Sequence, residues 1–308
     1  MGDGYGAAVS EPGQVELSRT LRFFINPAGQ AAGGNGFGGR PACVGWGLGL
    51  ELEVVCTGVP EPRSGYVVNI QAIDAAARAV ALPQIDRAVR EAWRAGAEAG
   101  GAHAASGGSS GSVEGVLRAS LAGLSEALGG AGEGRSPLVV QRLALRPSPT
   151  VVLMVLRDAG VGLRVAQQYD FAAAHRLHVP ELSEADNHAL FGKCGNPSGH
   201  GHNYRVEVVV EAPPGAWERR VGMADLDAAV DRALIQPLDH KHLNLDVPYF
   251  RSPGSPEGGQ GMNPSVEHLT RFAFEALRGG LPDPLRLLEV SVWETDRTRC
   301  TLRGSGAG

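Results

Sequence analysis

Cysteine is scarce in this 308-residue chain: there are four, Cys43, Cys56, Cys194 and Cys300, and no two form a CxxC pair. Such scattered thiols offer no disulfide framework and point to a reducing, cytoplasmic setting. Positive charge is not in excess either, with 28 Lys and Arg against 33 Asp and Glu and a net charge of −5. A protein balanced this way has no global basic surface, so nucleic acid is not an expected partner. No apolar run is long enough to span a bilayer, so no membrane partner is expected. The opening MGDGYGAAVSEPGQ lacks the basic stretch and apolar core of a secretory signal. Hydrophobic residues make up 43% and charged residues 20%, the balance of a soluble globular protein long enough for two domains.

What the chain does have is one pattern written twice. FGGRPACVGWGLGLELEVVCTGVP from Phe37 lies over FGKCGNPSGHGHNYRVEVVVEAPP from Phe191 without a gap, at an offset of 154. SVEGVLRASLAGLSEAL from Ser112 lies over SVEHLTRFAFEALRGGL from Ser265, at an offset of 153. Internal repeats of this size define the unit of the fold. LELEVVC and YRVEVVVEA alternate as strands with one buried face do, and RLALRP and EVSVWE supply a further short strand near each end. SVEHLTRFAFEALRGG opens on a serine cap, keeps helical apolar spacing and closes on glycine. Each half therefore reads strand, loop, strand, helix, long connection, helix, strand, an α+β unit on an antiparallel sheet. The predicted organisation is a flexible start over 1–16, a first copy over 17–156 with a low-complexity insertion at about 98–112, a second copy over 161–303 and a tail over 304–308.

Chemistry is concentrated in the second copy. His200 and His202 open a strand two residues apart, so both side chains fall on one face. Zinc takes nitrogen and sulfur ligands, and a catalytic zinc leaves a position open. A third ligand is sought in FAAAHRLH, where His175 and His178 compete. An isolated HxH is also read as a pair of surface histidines. Cys194 reads as a small buried hydrophobe or as a thiolate activated by nearby positive charge. In PLDHKHLN, Asp239 and His240 form a carboxylate–imidazole pair only if a loop or helix end turns both to one side. Glu267 fits the first turn of a helix, where the dipole favours it. Glu294 ends a strand with no local structural role, which favours a ligand role.

In order, FAAAHRLH, LFGKCGNPSGHGHNY, PLDHKHLNLDVPYF, NPSVEHL and VWETD resemble the 6-pyruvoyltetrahydropterin synthases and the related 6-carboxytetrahydropterin synthases, over residues 161–303. The five residues between Cys194 and His200 are like the pyruvoyl type, since the carboxy type has a shorter gap. The resemblance implies zinc on His175, His200 and His202, Cys194 as general base with Asp239 and His240 completing proton transfer, and Glu294 anchoring a pterin ring. Glu267 joins it as a further substrate-binding carboxylate. The substrate implied is 7,8-dihydroneopterin triphosphate, with queuosine-route 6-carboxytetrahydropterin synthesis or plain pterin binding as alternatives. Lys193, Arg176 and Lys241 are candidates for the triphosphate. The fold implied is α+β: two tandem tunnelling-fold domains, each a four-stranded antiparallel sheet with two helices on one face, assembling into a barrel as a homo-oligomer. Two departures stand out. VGMADLD has one residue fewer than the family's segment there, and the loop 252–264 is longer and richer in glycine.

The first copy cannot repeat this chemistry. Arg40, Trp46 and Leu48 lie opposite Cys194, His200 and His202, Pro147 falls where Glu294 would be, and RFFINPA has no counterpart of His175. It is expected to contribute sheet and interface surface.

Overall fold

The computed structural model describes residues 13–27, 47–98, 111–130, 137–158 and 160–304. Arg40, Trp46 and most of the low-complexity insertion lie outside the described residues. The chain divides into two compact units. One holds the described residues up to Val165 with Glu211–Arg220, and the other holds Ala166–Val210 with the described residues from Val221.

In the first unit, β1 (Val15–Ile25), β2 (Leu48–Gly58), β3 (Val139–Ser148) and β4 (Val151–Leu156) lie side by side in that order, each antiparallel to the next. The alternation in β2 does what the sequence implies: Leu50, Leu52 and Val54 are buried between partly exposed Glu51 and Glu53. The helices are α1 (Ile70–Ala76), α2 (Leu82–Glu98) and α3 (Val113–Leu128). Ser112 caps α3 by accepting from the Gly115 N–H at 3.1 Å, a contact worth about 1 kcal/mol. Leu117, Leu121, Leu124 and Leu128 bury one stripe of α3, which packs on β3 and β4. The turn after Ala212 joins this unit because the Gly215 N–H donates to Glu114 Oε2 at 2.8 Å, at the start of α3.

The second unit places β5 (Leu163–His175), β6 (His200–Ala212), β8 (Arg286–Thr295) and β9 (Thr298–Arg303) in that order, with β8 and β9 antiparallel. A two-residue strand, β7 (Lys241–His242), pairs parallel with β5. The sheet is thus not wholly antiparallel, as the sequence led one to expect. The parallel piece arises because PLDHKH is pinned along β5 rather than looping free: the His240 N–H donates to the Ala172 carbonyl at 2.6 Å. The helices are α4 (Glu184–Phe191), α5 (Met223–Val230), α6 (Gln236–Leu238), α7 (Leu243–Asp246) and α8 (Val266–Gly280). Ser265 caps α8 as Ser112 caps α3, and Leu269, Ala273, Phe274 and Leu277 face the core.

The periodicity read in the sequence recurs in the elements, down to a shared irregularity. A π-helical turn separates α1 from α2 at Ala77–Ala81, and another separates α5 from α6 at Asp231–Ile235, 154 residues on. The reading of each half had stopped one strand short. β4 and β9 close tight hairpins with β3 and β8, so each unit has a fourth strand after RLALRP or EVSVWE.

Candidate metal centre and proton-transfer groups

β5 and β6 bring the histidines together. On β5, Phe171, Ala173 and His175 are buried while Ala172 and Ala174 are partly exposed, so the strand's alternation aims His175 inward at its last residue. On β6, His200, His202 and Tyr204 share a face by the same rule. Gly199 lets the chain enter this strand at φ 71°, and a Cβ there would lie 2.9 Å from His242 Nε2 and 3.0 Å from the His175 carbonyl oxygen.

The ligand atoms of His175, His200 and His202 all lie within 4.8 Å of one another. His175 is fully buried, and its Nδ1 is 2.7 Å from the Pro264 carbonyl, which can only accept. The proton therefore sits on Nδ1, and Nε2 presents a bare lone pair, 3.1 Å from His200 Nε2. His202 Nε2 is buried with no hydrogen-bond partner. Burial, above all, holds the His175 pKa down to about 4, with the neighbouring histidines lowering it further against the Pro264 hydrogen bond. Burial and His202 likewise lower that of His200, against Glu294. Neutral imidazoles with convergent, unpartnered lone pairs are the form that ligates a divalent metal, and this donor set fits one. His178, the competitor for the third place, is excluded: it lies beyond the end of β5, and its backbone N–H donates to Asn263 Oδ1 at 3.2 Å.

Glu294, near the end of β8, borders the cluster. Its Oε1 is 3.6 Å from His175 Nε2 and 3.8 Å from His202 Nε2, so its acceptor capacity is not spent on a hydrogen bond there. Glu267 is placed elsewhere. In the first turn of α8, it is held below the ordinary carboxylate range by the Ser265 hydroxyl and its own backbone N–H, and it lines a cavity with Arg271, Phe274 and Arg303. No described contact ties it to the histidines.

Two further groups flank the cluster along β5. Before it, Asp239 accepts from the Ala172 N–H at 2.8 Å and from His240 Nδ1 at 2.8 Å. His240 has φ 56°, a left-handed backbone that turns neighbouring side chains to one side, as the sequence required of this pair. These two donors, the Ala172 N–H first, hold the Asp239 carboxyl below its ordinary value. The His240 side chain is 83% exposed, so Asp239 is what orients it. After the cluster, Cys194 sits in a 3₁₀ turn, Gly192–Gly195, tied back to the chain just past His175. The Leu177 N–H donates to the Cys194 carbonyl at 2.9 Å, and Arg176 Nε to the Gly195 carbonyl at 3.0 Å.

Tyr204 was missed in the sequence, although it continues the 200, 202 alternation. It is fully buried, stacks on Phe171 at 5.1 Å and places its hydroxyl 3.4 Å from His175 Nδ1. Burial raises its pKa, helped by the charges of Glu294 and Cys194. Asn187 was missed too. It is buried and bonded to the Val179 N–H at 2.8 Å and the Val179 carbonyl at 2.9 Å, which fixes the segment leaving β5. The Pro264 carbonyl carried no sequence signal at all.

A family profile described as 6-pyruvoyl tetrahydropterin synthase matches residues 164–305. A human protein named 6-pyruvoyl tetrahydrobiopterin synthase is 39% identical over 143 residues, which is 46% of this chain and 91% of that one. A Drosophila melanogaster protein of the same name is 39% identical over 138 residues, 44% of this chain and 75% of that one. The solved structure of Caenorhabditis elegans 6-pyruvoyl tetrahydropterin synthase aligns with a TM-score of 0.40 and 30% identity, over 46% of this chain and 95% of that one.

Proposed function

The chain belongs to the 6-pyruvoyl tetrahydropterin synthase family, and on that premise we propose that it is a zinc-dependent lyase that converts 7,8-dihydroneopterin triphosphate to 6-pyruvoyltetrahydropterin with loss of triphosphate. The observation that carries this reading is the convergence of three neutral imidazoles, one tautomer-locked by Pro264 and one with a buried, partnerless Nε2.

His175, His200 and His202 would hold the zinc. Bound there, it supplies Lewis acidity, which polarises side-chain oxygens of the substrate and acidifies the adjoining C–H bonds. The protein's own groups do the rest. Cys194 takes a proton as thiolate, and its turn is positioned by the Leu177 and Arg176 hydrogen bonds. Asp239 fixes the proton of His240 on Nδ1, which leaves Nε2 free to accept or return a proton. Glu294, with unspent acceptor capacity, anchors the pterin by receiving its N–H hydrogens. Tyr204 and Phe171 close the inner wall against water. The exposure of His240 is in keeping with a site completed by another subunit of a homo-oligomeric barrel.

The first unit is a pseudo-repeat that serves assembly. Leu48, in the place of His202, is 47% exposed on β2 and cannot ligate a metal. The test is the product formed from dihydroneopterin triphosphate, identified by mass spectrometry. The pyruvoyl product with free triphosphate is expected. Carboxy product with acetaldehyde would assign the enzyme to the deazapurine route instead, and no turnover by zinc-loaded protein would leave a pterin-binding module.

A further inference from the structure

A second cavity of about 560 Å³ adjoins the histidine cluster within the same unit, and nothing assigned so far uses it. Arg176, His178, His242, Gln260 and Asn263 line it, with Phe250 on its apolar side. Its size is that of a small-molecule site. One wall is the glycine-rich loop 252–264, the segment that is longer than the family resemblance leads one to expect. The cavity is therefore a feature of this chain and not simply of its fold.

Its polar groups are biased toward donation. His178 Nδ1 and His242 Nδ1 are both buried without a partner. A buried N–H without an acceptor is costlier than a bare lone pair, so the ring protons belong on Nε2. Both rings line the cavity, and Nε2–H is the donor left to face it. Arg176 adds a permanent positive charge: its Nε is held by the Gly195 carbonyl, and its NH2 lies 3.5 Å from Glu184, a carboxylate 79% exposed and so well screened. Glu181, also exposed, is the carboxylate on the cavity's rim. The cavity also meets the cluster directly. Arg176 follows His175 in sequence, and His242 packs against Gly199, next to His200.

We propose that this cavity receives the phosphate chain of the substrate, an organic polyphosphate, with Arg176, His178 and His242 as its donors. The assignment rests on the histidine cluster being where the pterin side chain reacts. A polyphosphate carries several acceptor oxygens and a large negative charge. A guanidinium and two imidazole N–H groups match both.

The test uses the full-length, zinc-loaded protein in a zinc buffer, so that chelation of metal by the probe is controlled. The variants are H178F, H242F and the double variant, which keep ring volume and remove the donors. Expected is a rise in KM for dihydroneopterin triphosphate of about tenfold for each single variant, as for loss of a hydrogen bond to a charged group, with kcat within about twofold. The inhibition constant of inorganic triphosphate should rise in parallel, while binding of unphosphorylated dihydroneopterin stays unchanged. Crystals of the wild-type protein soaked in inorganic triphosphate should show it between Arg176, His178 and His242. An unchanged KM and inhibition constant in the double variant overturns the assignment. So does triphosphate density elsewhere, or none at saturation, and this arm decides if the variants do not fold. A wild-type protein that does not turn over dihydroneopterin triphosphate refutes the lyase reading, and the soaked crystal then judges the cavity by itself.

Discussion

Replacing Asp239 by asparagine changes one atom and no volume, yet it removes what orients His240. The carboxylate accepts two hydrogens, from the Ala172 N–H at 2.8 Å and from His240 Nδ1 at 2.8 Å. Asparagine keeps the first with its carbonyl oxygen and faces the second with an amide N–H, donor against donor. His240, 83% exposed, then has nothing to hold its proton on Nδ1 or its ring in place. A positioned acid–base group is worth on the order of a hundred- to ten-thousand-fold in rate, and D239N should lose a factor in that range from kcat. H240A should lose about the same. The double variant should lose no more than either alone, because the two residues act as one device. Metal content, measured by elemental analysis, should stay at the wild-type value, since neither residue is among the convergent imidazoles. The melting temperature should be unchanged within about 2 °C, as the pair lies at the surface. The pH profile adds a check. Asp239 is held below its ordinary value of 3.8, so it stays ionised as pH falls and is lost as a stabilising charge only at more acidic pH still. Any acid limb of kcat above about pH 5 thus belongs to an imidazole. D239N turning over within threefold of wild type, or a double variant losing the product of the two single factors, would refute the reasoning.

Metal binding should stabilise the folded chain by linkage, about 4 kcal/mol at a thousandfold excess over Kd, and H202A should abolish most of that increment in calorimetry with and without chelator. In the metal-free protein, the depressed pKa of His175, about 4 against 6.5, means the unfolded chain binds the extra proton. Its denaturant midpoint should therefore fall as pH is lowered from about 6.5 toward 4, and a flat midpoint across that window would contradict the burial of His175. Cys194, partly exposed, should be alkylated in the native protein with loss of turnover, and C194A should be inactive with zinc still bound. Cys56, buried and with its thiol pushed up to about 11 by desolvation, should be labelled only on unfolding, as read by peptide mass mapping.

Much of this was legible in the sequence because it depends on short periods. The alternation in LELEVVC and HGHNYRVEVVV fixes which side chains share a face, and serine caps and glycine stops bound α3 and α8. β4 and β9 were not separated from the strands before them, because a tight hairpin between similar apolar runs leaves no break in the pattern. Glu267 shows the other limit: its place in a first helical turn was readable, but not that the turn faces a different cavity from the histidines.

By itself, the sequence determined the two matching halves, the loading of histidine and cysteine into only one of them, and the pairing of His200 with His202 on one strand face. These follow from residue identity and from repeats only a few residues long. Only the tertiary structure chose His175 over His178, because that choice depends on where β5 ends. It alone supplied the Pro264 carbonyl that sets the His175 tautomer, drew PLDHKH along β5, and gathered Arg176, His178 and His242 around one cavity. Those relations join residues some 60 to 90 positions apart, as the His175–Pro264 and Ala172–Asp239 contacts do, and no local pattern encodes a contact across that separation.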